Sequence, residues 1–181
     1  MADIGQFLRH YTDYQSTFKE TSCDDRHKDK EAIYLCHDET QTVINFDKLV
    51  EERYSGSKKP RTFDAIYVHE NIIFCIEFKN QTTADIKNRI VQEKLESGKR
   101  ELEELFAQLH IASKQYKYVY CVVYKNCYEE IQRYKSGVSK GAVLFGLQKY
   151  KEKHFVDEIF TDNVNFFTKA FQKQIKKELN C

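Results

Sequence analysis

The chain has 181 residues, 31% charged and 41% hydrophobic, with a formal net charge of +1 at pH 7. This composition predicts one folded domain and excludes a disordered chain. The near-zero charge excludes a global basic field, so any nucleic-acid surface has to be a local patch.

Residues 3–20 place Ile4, Phe7, Leu8, Tyr11, Tyr14 and Phe18 at helical intervals and predict an amphipathic N-terminal helix. The start MADIGQFLRHYTDYQ has no basic-then-apolar leader, and no apolar run is long enough to span a bilayer. A cytoplasmic protein without a membrane partner is expected. The polar stretch 22–31 predicts a connector, and AIYLCH, 32–37, a short strand. Val43, Phe46, Val50 and Tyr54 predict helix over 42–54, ended by SGSKKPR, 55–61. TFDAIYVH, 62–69, and NIIFCIEFK, 71–79, are strand-like runs joined at Glu70-Asn71, which predicts a hairpin.

Thr82 or Thr83 is placed to cap a long helix running to about Lys114. Its apolar positions Val91, Leu95, Leu102, Leu105 and Leu109 advance in steps of four and three, with Gly98 in the slot between Leu95 and Leu102. KYVYCVVYK, 117–125, predicts a strand, 126–134 a short helix and GAVLFGL, 141–147, another strand. Val164, Phe167, Phe171, Ile175 and Leu179 predict a closing helix over 162–179. Together these give a single α/β domain over 1–181, a mixed sheet flanked by helices, with its core at about 42–147.

The six cysteines include no CxxC pair. Cys75 and Cys121 lie in apolar runs and are expected as reduced core residues. Cys23, His27, Cys36 and His37 offer zinc-type ligands, but their spacing matches no standard finger.

The chemistry concentrates in the hairpin. Side chains alternate across a strand, so Thr62, Asp64 and Ile66 share a face, as do Cys75, Glu77 and Lys79. Antiparallel pairing then brings Asp64, Glu77 and Lys79 to one end of the hairpin. Two carboxylates there repel and resist desolvation, which a divalent cation relieves because hard cations prefer oxygen ligands. Each residue alone has a bland reading: Asp64 as a turn cap, Glu77 and Lys79 as a solvated ion pair.

An Asp followed one strand later by Glu-x-Lys resembles the signature of the PD-(D/E)xK nuclease superfamily. An acidic helix before the hairpin and a long helix after it are similar to that family's restriction-endonuclease-like αβββαβ core, here with an extra N-terminal helix. The resemblance covers roughly 42–125, and Phe63 stands where the signature has proline. It implies a Mg²⁺-dependent endonuclease, with Mn²⁺ able to substitute. Asp64 and Glu77 would be metal ligands together with the Phe78 carbonyl, and Lys79 would act on the attacking water. The family often adds a glutamate from the preceding helix. Glu51 is chosen because it lies beside the apolar face, with Glu52 and Asp47 as the alternatives. Gln81 is placed either to touch a scissile phosphate or water, or to lead into the next helix.

Basic residues before and after the hairpin are candidates for phosphate contact: Arg53, Lys58, Lys59 and Arg61, then Lys87, Arg89 and Lys94. Glutamates interleave with the second group, so a solvated face is an equal reading there. Lys169, Lys173, Lys176 and Lys177 read as a solvent face. The expected partner is nucleic acid, DNA before RNA. A homodimer, and an inhibitor or immunity protein if the chain is a toxin, are the other partners this reading admits. The alternatives are a catalytically inactive interaction module of the same fold, and an unrelated α/β binding protein whose Asp64 and Glu77 lie apart.

Overall fold

The computed structural model describes residues 3–24, 32–54, 58–125 and 142–181. It opens with helix α1 (Ile4–His10), capped by Asp3, whose side chain accepts from the Gln6 amide at 3.0 Å. The helix expected over 3–20 stops there. A 3₁₀ turn (Thr12–Tyr14) leads into strand β1 (Gln15–Thr17) and a second short helix, α2 (Phe18–Thr21). Thr17 caps α2, and Phe18 plugs the opposite face of the sheet from Phe7. The helical spacing is therefore met by two separate helices. Strands β2 (Cys23–Asp24) and β3 (Ile33–Tyr34) form a small ribbon, so the connector includes a strand and the expected strand at 32–37 is short.

The helix expected over 42–54 begins later. Strand β4 (Thr42–Asn45) pairs with β1, and only then does helix α3 (Phe46–Arg53) start, with Asn45 accepting from the Lys48 amide at 3.0 Å. Tertiary pairing overrides the periodicity here, since Val43 is needed on one face of the sheet and Phe46 on the other. The hairpin forms as expected, as β5 (Ala65–His69) and β6 (Ile72–Lys79), turning through Glu70 in the left-handed region.

Helix α4 (Asn88–Gln108) starts six residues past Thr82 and ends before Lys114. Thr82 and Thr83 do not cap it. Thr82 donates instead to Asp85 at 2.8 Å, in a turn that buries Ile86. Strand β7 (Lys117–Tyr124) follows, then helix α5 (Gln148–Glu152), strand β8 (Glu158–Asn163) and helix α6 (Val164–Ile175). The helix expected at 126–134 lies outside the described residues, as do His27 and Cys127. Residues 142–147 are not a strand. Phe145 and Gly146 take φ of 59° and 64°, which ends any extended run. Among the described residues the strand that follows β7 is β8, whose polar sequence EIFTDN gives little signal.

The sheet order is β1-β4-β5-β6-β7-β8, antiparallel as far as β6 and parallel from β6 to β8. This is a mixed α/β sheet with helices on both faces. On one face α4 buries Val91, Leu95, Leu102 and Leu105 against Ile66, Ile73, Cys75 and Tyr120. On the other, α2 and α6 bury Phe18, Phe167, Phe171 and Ile175 against Tyr67, Phe74, Ile76 and Phe78. The alternation along β6 thus sends Ile73, Cys75, Glu77 and Lys79 toward α4. Cys75 and Cys121 are free and buried, as expected. Cys36 is bonded to Cys181, so it is not a zinc ligand in this fold. Among the described residues no helix is long and apolar enough to cross a membrane.

Candidate functional site

The register of the hairpin pairs Ala65 with Ile76, and one further step sets Asp64 opposite Glu77. Backbone bonds fix Asp64 on both sides. Its amide donates to the Ile76 carbonyl at 3.0 Å, and its own carbonyl accepts from the Phe46 amide at 3.0 Å. The N-terminus of α3 is therefore tied to the strand that carries Asp64, which brings Asp47 beside it. Phe63, the residue before Asp64, stacks on Phe46 with ring centroids 4.8 Å apart. A large aromatic at this position serves the packing between α3, α4 and the sheet.

Asp64, Glu77 and Lys79 converge as expected. The Phe78 amide donates to Asp64 Oδ2 at 2.6 Å, and Lys79 Nζ lies 2.5 Å from Glu77 Oε1. A fourth residue joins them. Lys94, from the second turn of α4, bridges the two acids, at 3.0 Å from Asp64 Oδ1 and 2.9 Å from Glu77. The sequence offers Lys94 as a phosphate contact or as part of a solvated face, and not as a partner of the hairpin acids. Its proximity follows from α4 crossing the face that carries Glu77 and Lys79.

The Glu77 side chain is fully buried, whereas Asp64, Lys79 and Lys94 keep 20%, 16% and 17% of theirs exposed. Burying one ion costs several kcal/mol. A pair about 3 Å apart at an effective dielectric near 20 returns roughly 5 kcal/mol. The cluster therefore balances only when each acid has an ammonium. Burial first, and Glu77 second, push Asp64 up to about 7, against the pull of Lys94, Lys79 and the Phe78 amide. Burial favours the neutral form of Lys94, but Glu77 and Asp64 outweigh it and hold its pKa above the ordinary lysine range. Glu77 Oε1 is buried and accepts no aligned hydrogen bond. The two lysines reach that atom as charge contacts only.

Asp64 opens onto a cavity of about 410 Å³ lined by Asp47, Asp64, Phe78, Lys79, Asn80 and Lys94 on one side, with Glu77 buried behind it. The 20–24 segment and Asn45 complete its wall. The N-terminal region thus builds part of the site, which the helix expected over 3–20 did not anticipate. Asp47, and not Glu51, is the α3 carboxylate at this cavity. Glu51 is exposed and turns to Lys59 at 3.4 Å. Asp47 accepts from Thr62 at 3.1 Å and pairs with Lys59 at 2.8 Å. Glu52 bonds Tyr14 at 2.8 Å, away from the cavity.

The expected phosphate contacts divide. Arg53 points elsewhere: it pairs with the buried Glu101 of α4 at 3.2 Å, beside Tyr54, which donates to the same carboxylate at 2.6 Å. Arg61 pairs with Glu93 at 2.7 Å, and Arg89 with Glu93 at 3.4 Å. Lys58 and Lys87 are exposed. Gln81 is half-buried and uses its carbonyl to accept from the Lys125 amide. Asn80, and not Gln81, lines the cavity.

No protein-family model matches the chain, and neither a curated protein nor a solved structure matches it. Among the described residues no group of three or more His, Cys, Asp or Glu side chains is placed to hold a metal ion. A cation at this site would therefore rest on two carboxylates, backbone oxygen and water. Mg²⁺ tolerates such a set, because it keeps several waters and commonly takes one or two carboxylates.

Proposed function

We propose that the chain is a metal-dependent nuclease that hydrolyses phosphodiester bonds, in DNA before RNA, at the site built by Asp64, Glu77 and Lys79. One observation carries this reading: Asp64 and Glu77 stand opposite each other across a hairpin, with Lys79 beside Glu77, and Asp64 and Lys79 line a polar cavity. The arrangement resembles the PD-(D/E)xK signature, and a long helix after the hairpin covers the same face. The element order departs from that family's core in one respect. Here α3 stands between β4 and β5, whereas the αβββαβ order has its first helix ahead of all three strands.

The donors fit a hard cation such as Mg²⁺, with Mn²⁺ as substitute. They are carboxylate oxygens, and Glu77 Oε1 has a lone pair without an aligned donor. When bound, such a cation polarises a phosphate oxygen and makes a coordinated water acidic. Asp64 and Glu77 would hold it, with the Phe78 carbonyl as the family's further ligand. Lys79 would orient the attacking water and offset charge building on the phosphate. Asp47, held by Lys59 and Thr62, stands at the cavity where Glu51 was expected, as part of its wall and not as a third ligand. Lys58 and Lys87 remain candidates to contact the substrate backbone, whereas Arg53 and Arg61, each paired with a glutamate of α4, leave that set.

The test is cleavage of supercoiled plasmid and of structured RNA with Mg²⁺ or Mn²⁺, against a chelator control. Asp64→Ala, Glu77→Ala and Lys79→Ala are each expected to lose about 100-fold or more in rate. Undiminished cleavage by any of the three removes that residue from the site.

A second reading has its own support. Two carboxylates and two ammoniums already balance, so the cluster needs no cation to be stable. An inactive interaction module of this fold would keep it as a structural element. That reading predicts no cleavage of either substrate and no gain in melting temperature with Mg²⁺ or Mn²⁺.

A further inference from the structure

Of the basic residues on α4, Lys94 is the one that reaches the hairpin acids, and Arg100 is exposed. Arg89 pairs with a glutamate of its own helix. Lys99 does the same with Glu103. Lys94 does neither. The adjacent Glu93 is taken by Arg61 and Arg89, and Glu96 accepts from Tyr150. The Lys94 ammonium instead stands between Asp64 and Glu77, at 3.0 and 2.9 Å.

We propose that Lys94 is the built-in counter-ion of the cation site, seated where a divalent ion shared by Asp64 and Glu77 would stand, and that cation binding must displace it. The inference rests on the nuclease reading for its cation, and on the contacts of this chain for the residue. A Mg²⁺-sized ion holds its oxygens at roughly 2.1 Å, and an ammonium touching the same two oxygens excludes it by contact and by charge. Lys94 has somewhere to go. It lines the cavity beside Lys79 and Asn80, and its side chain is partly exposed. A displaced ammonium would then face the space into which an anionic phosphodiester would enter. The same lysine would neutralise the acids in the empty site and meet the substrate in the loaded one.

The experiment is isothermal titration of the metal-free full-length chain with Mn²⁺. It compares wild type, Lys94→Met, Lys94→Gln and Arg61→Met; Arg61 is a nearby cation whose ion pair is with Glu93. Lys94→Met is expected to bind Mn²⁺ on the order of tenfold tighter than wild type. Arg61→Met, which changes only the general field, is expected to shift affinity by less than about threefold. If wild type binds Mn²⁺ and Lys94→Met binds no tighter, the counter-ion role is wrong and the nuclease reading stands. Equal tightening by Lys94→Met and Arg61→Met also overturns it, since the effect is then unspecific. If neither wild type nor any variant binds Mn²⁺, this inference falls together with the metal-dependent reading. Where Lys94→Met does not fold in chelator, recovery of its near-ultraviolet circular dichroism on adding Mn²⁺ supports displacement. In that case a folded Lys94→Gln that binds no tighter than wild type refutes it.

Discussion

Asp64 sits between opposing demands. Burial and the neighbouring Glu77 favour its protonated form, whereas Lys94, Lys79 and the Phe78 amide favour the carboxylate. With Asp64 raised to about 7 in the folded chain and near ~4 when unfolded, the folded state holds the proton more tightly. Its contribution to stability is full below about pH 4 and is lost as the pH rises through about 7. Metal-free wild type should therefore lose about 1–3 kcal/mol more than Asp64→Asn between about pH 5 and about pH 8. Urea denaturation in chelator measures both slopes, and parallel slopes would show that Asp64 is ionised throughout. The pairing of Asp64 with Glu77 was legible from period-two alternation and a short turn, because both are local properties. Lys94 was not legible, because a lysine among glutamates on a helix looks the same whether it faces water or a buried acid. Asp47 and Glu51 were ambiguous for a related reason: one lies near the start of α3 and the other near its end, and only the Phe46–Asp64 backbone bond decides which end meets the strand.

At the scale of elements, α4 is held to the sheet by the fit of Gly98 against Phe63. A Cβ at position 98 would come within 2.5 Å of the Phe63 ring, which is itself fully buried against Phe46 and Tyr120. Helix propensity favours alanine over glycine by about 1 kcal/mol, but overpacking costs about 1–3 kcal/mol. Gly98→Ala is expected to destabilise by up to about 2 kcal/mol, with part recovered in Gly98→Ala/Phe63→Leu. A double-mutant cycle by chemical denaturation checks this, and additive effects would mean the two positions do not touch. The same helix engages Arg53. Arg53→Ala leaves the buried Glu101 without its cation and should cost about 1–3 kcal/mol, less than a fully buried pair because Arg53 keeps 25% of its side chain exposed. It should leave the salt dependence of nucleic-acid binding unchanged, whereas loss of a true phosphate contact lowers that slope by about one. The stripe of α4 and the strands of the hairpin were legible because each is long and regular. Strand β8 and the break after α1 were not, because pairing in the sheet decides both. Strand β8 is polar apart from Ile159 and Phe160, and Tyr11, Tyr14 and Phe18 fit a helical period without lying on one helix.

For the whole molecule, the consequential link is the one between the segment ahead of β4 and residue 181. Cys36 and Cys181 are bonded across a separation of 145 residues. Around the bond, the His37 amide donates to the Asn180 carbonyl at 3.2 Å, and the Asn180 amide donates to the buried Asp38 at 2.9 Å. Cys36 also exchanges hydrogen bonds with Ser22, at 3.0 and 3.1 Å, and Ser22 lines the cavity. The bridge thus braces the wall formed by the 20–24 segment, at one remove from Asp64. A loop this long gives roughly 5 kcal/mol of unfolded-state restriction in the chain-entropy account, and measured bridges usually deliver about 2–4 kcal/mol. Cys181→Ser should therefore lower stability by about 2–4 kcal/mol, and reductant should lower wild type by a similar amount while leaving the variant unchanged. Guanidinium denaturation with and without reductant reads both effects. The bond also bears on the expected cytoplasmic location, since disulfides persist chiefly in oxidising compartments. Peptide mapping without reduction, on protein alkylated at the moment of lysis, tests this. Recovery of Cys36 and Cys181 as separate alkylated peptides would show that the cell keeps the two cysteines unbonded. The wall at 20–24 would then rest on the Ser22–Cys36 hydrogen bonds, the β2–β3 pairing and the contacts of Asn180 with His37 and Asp38.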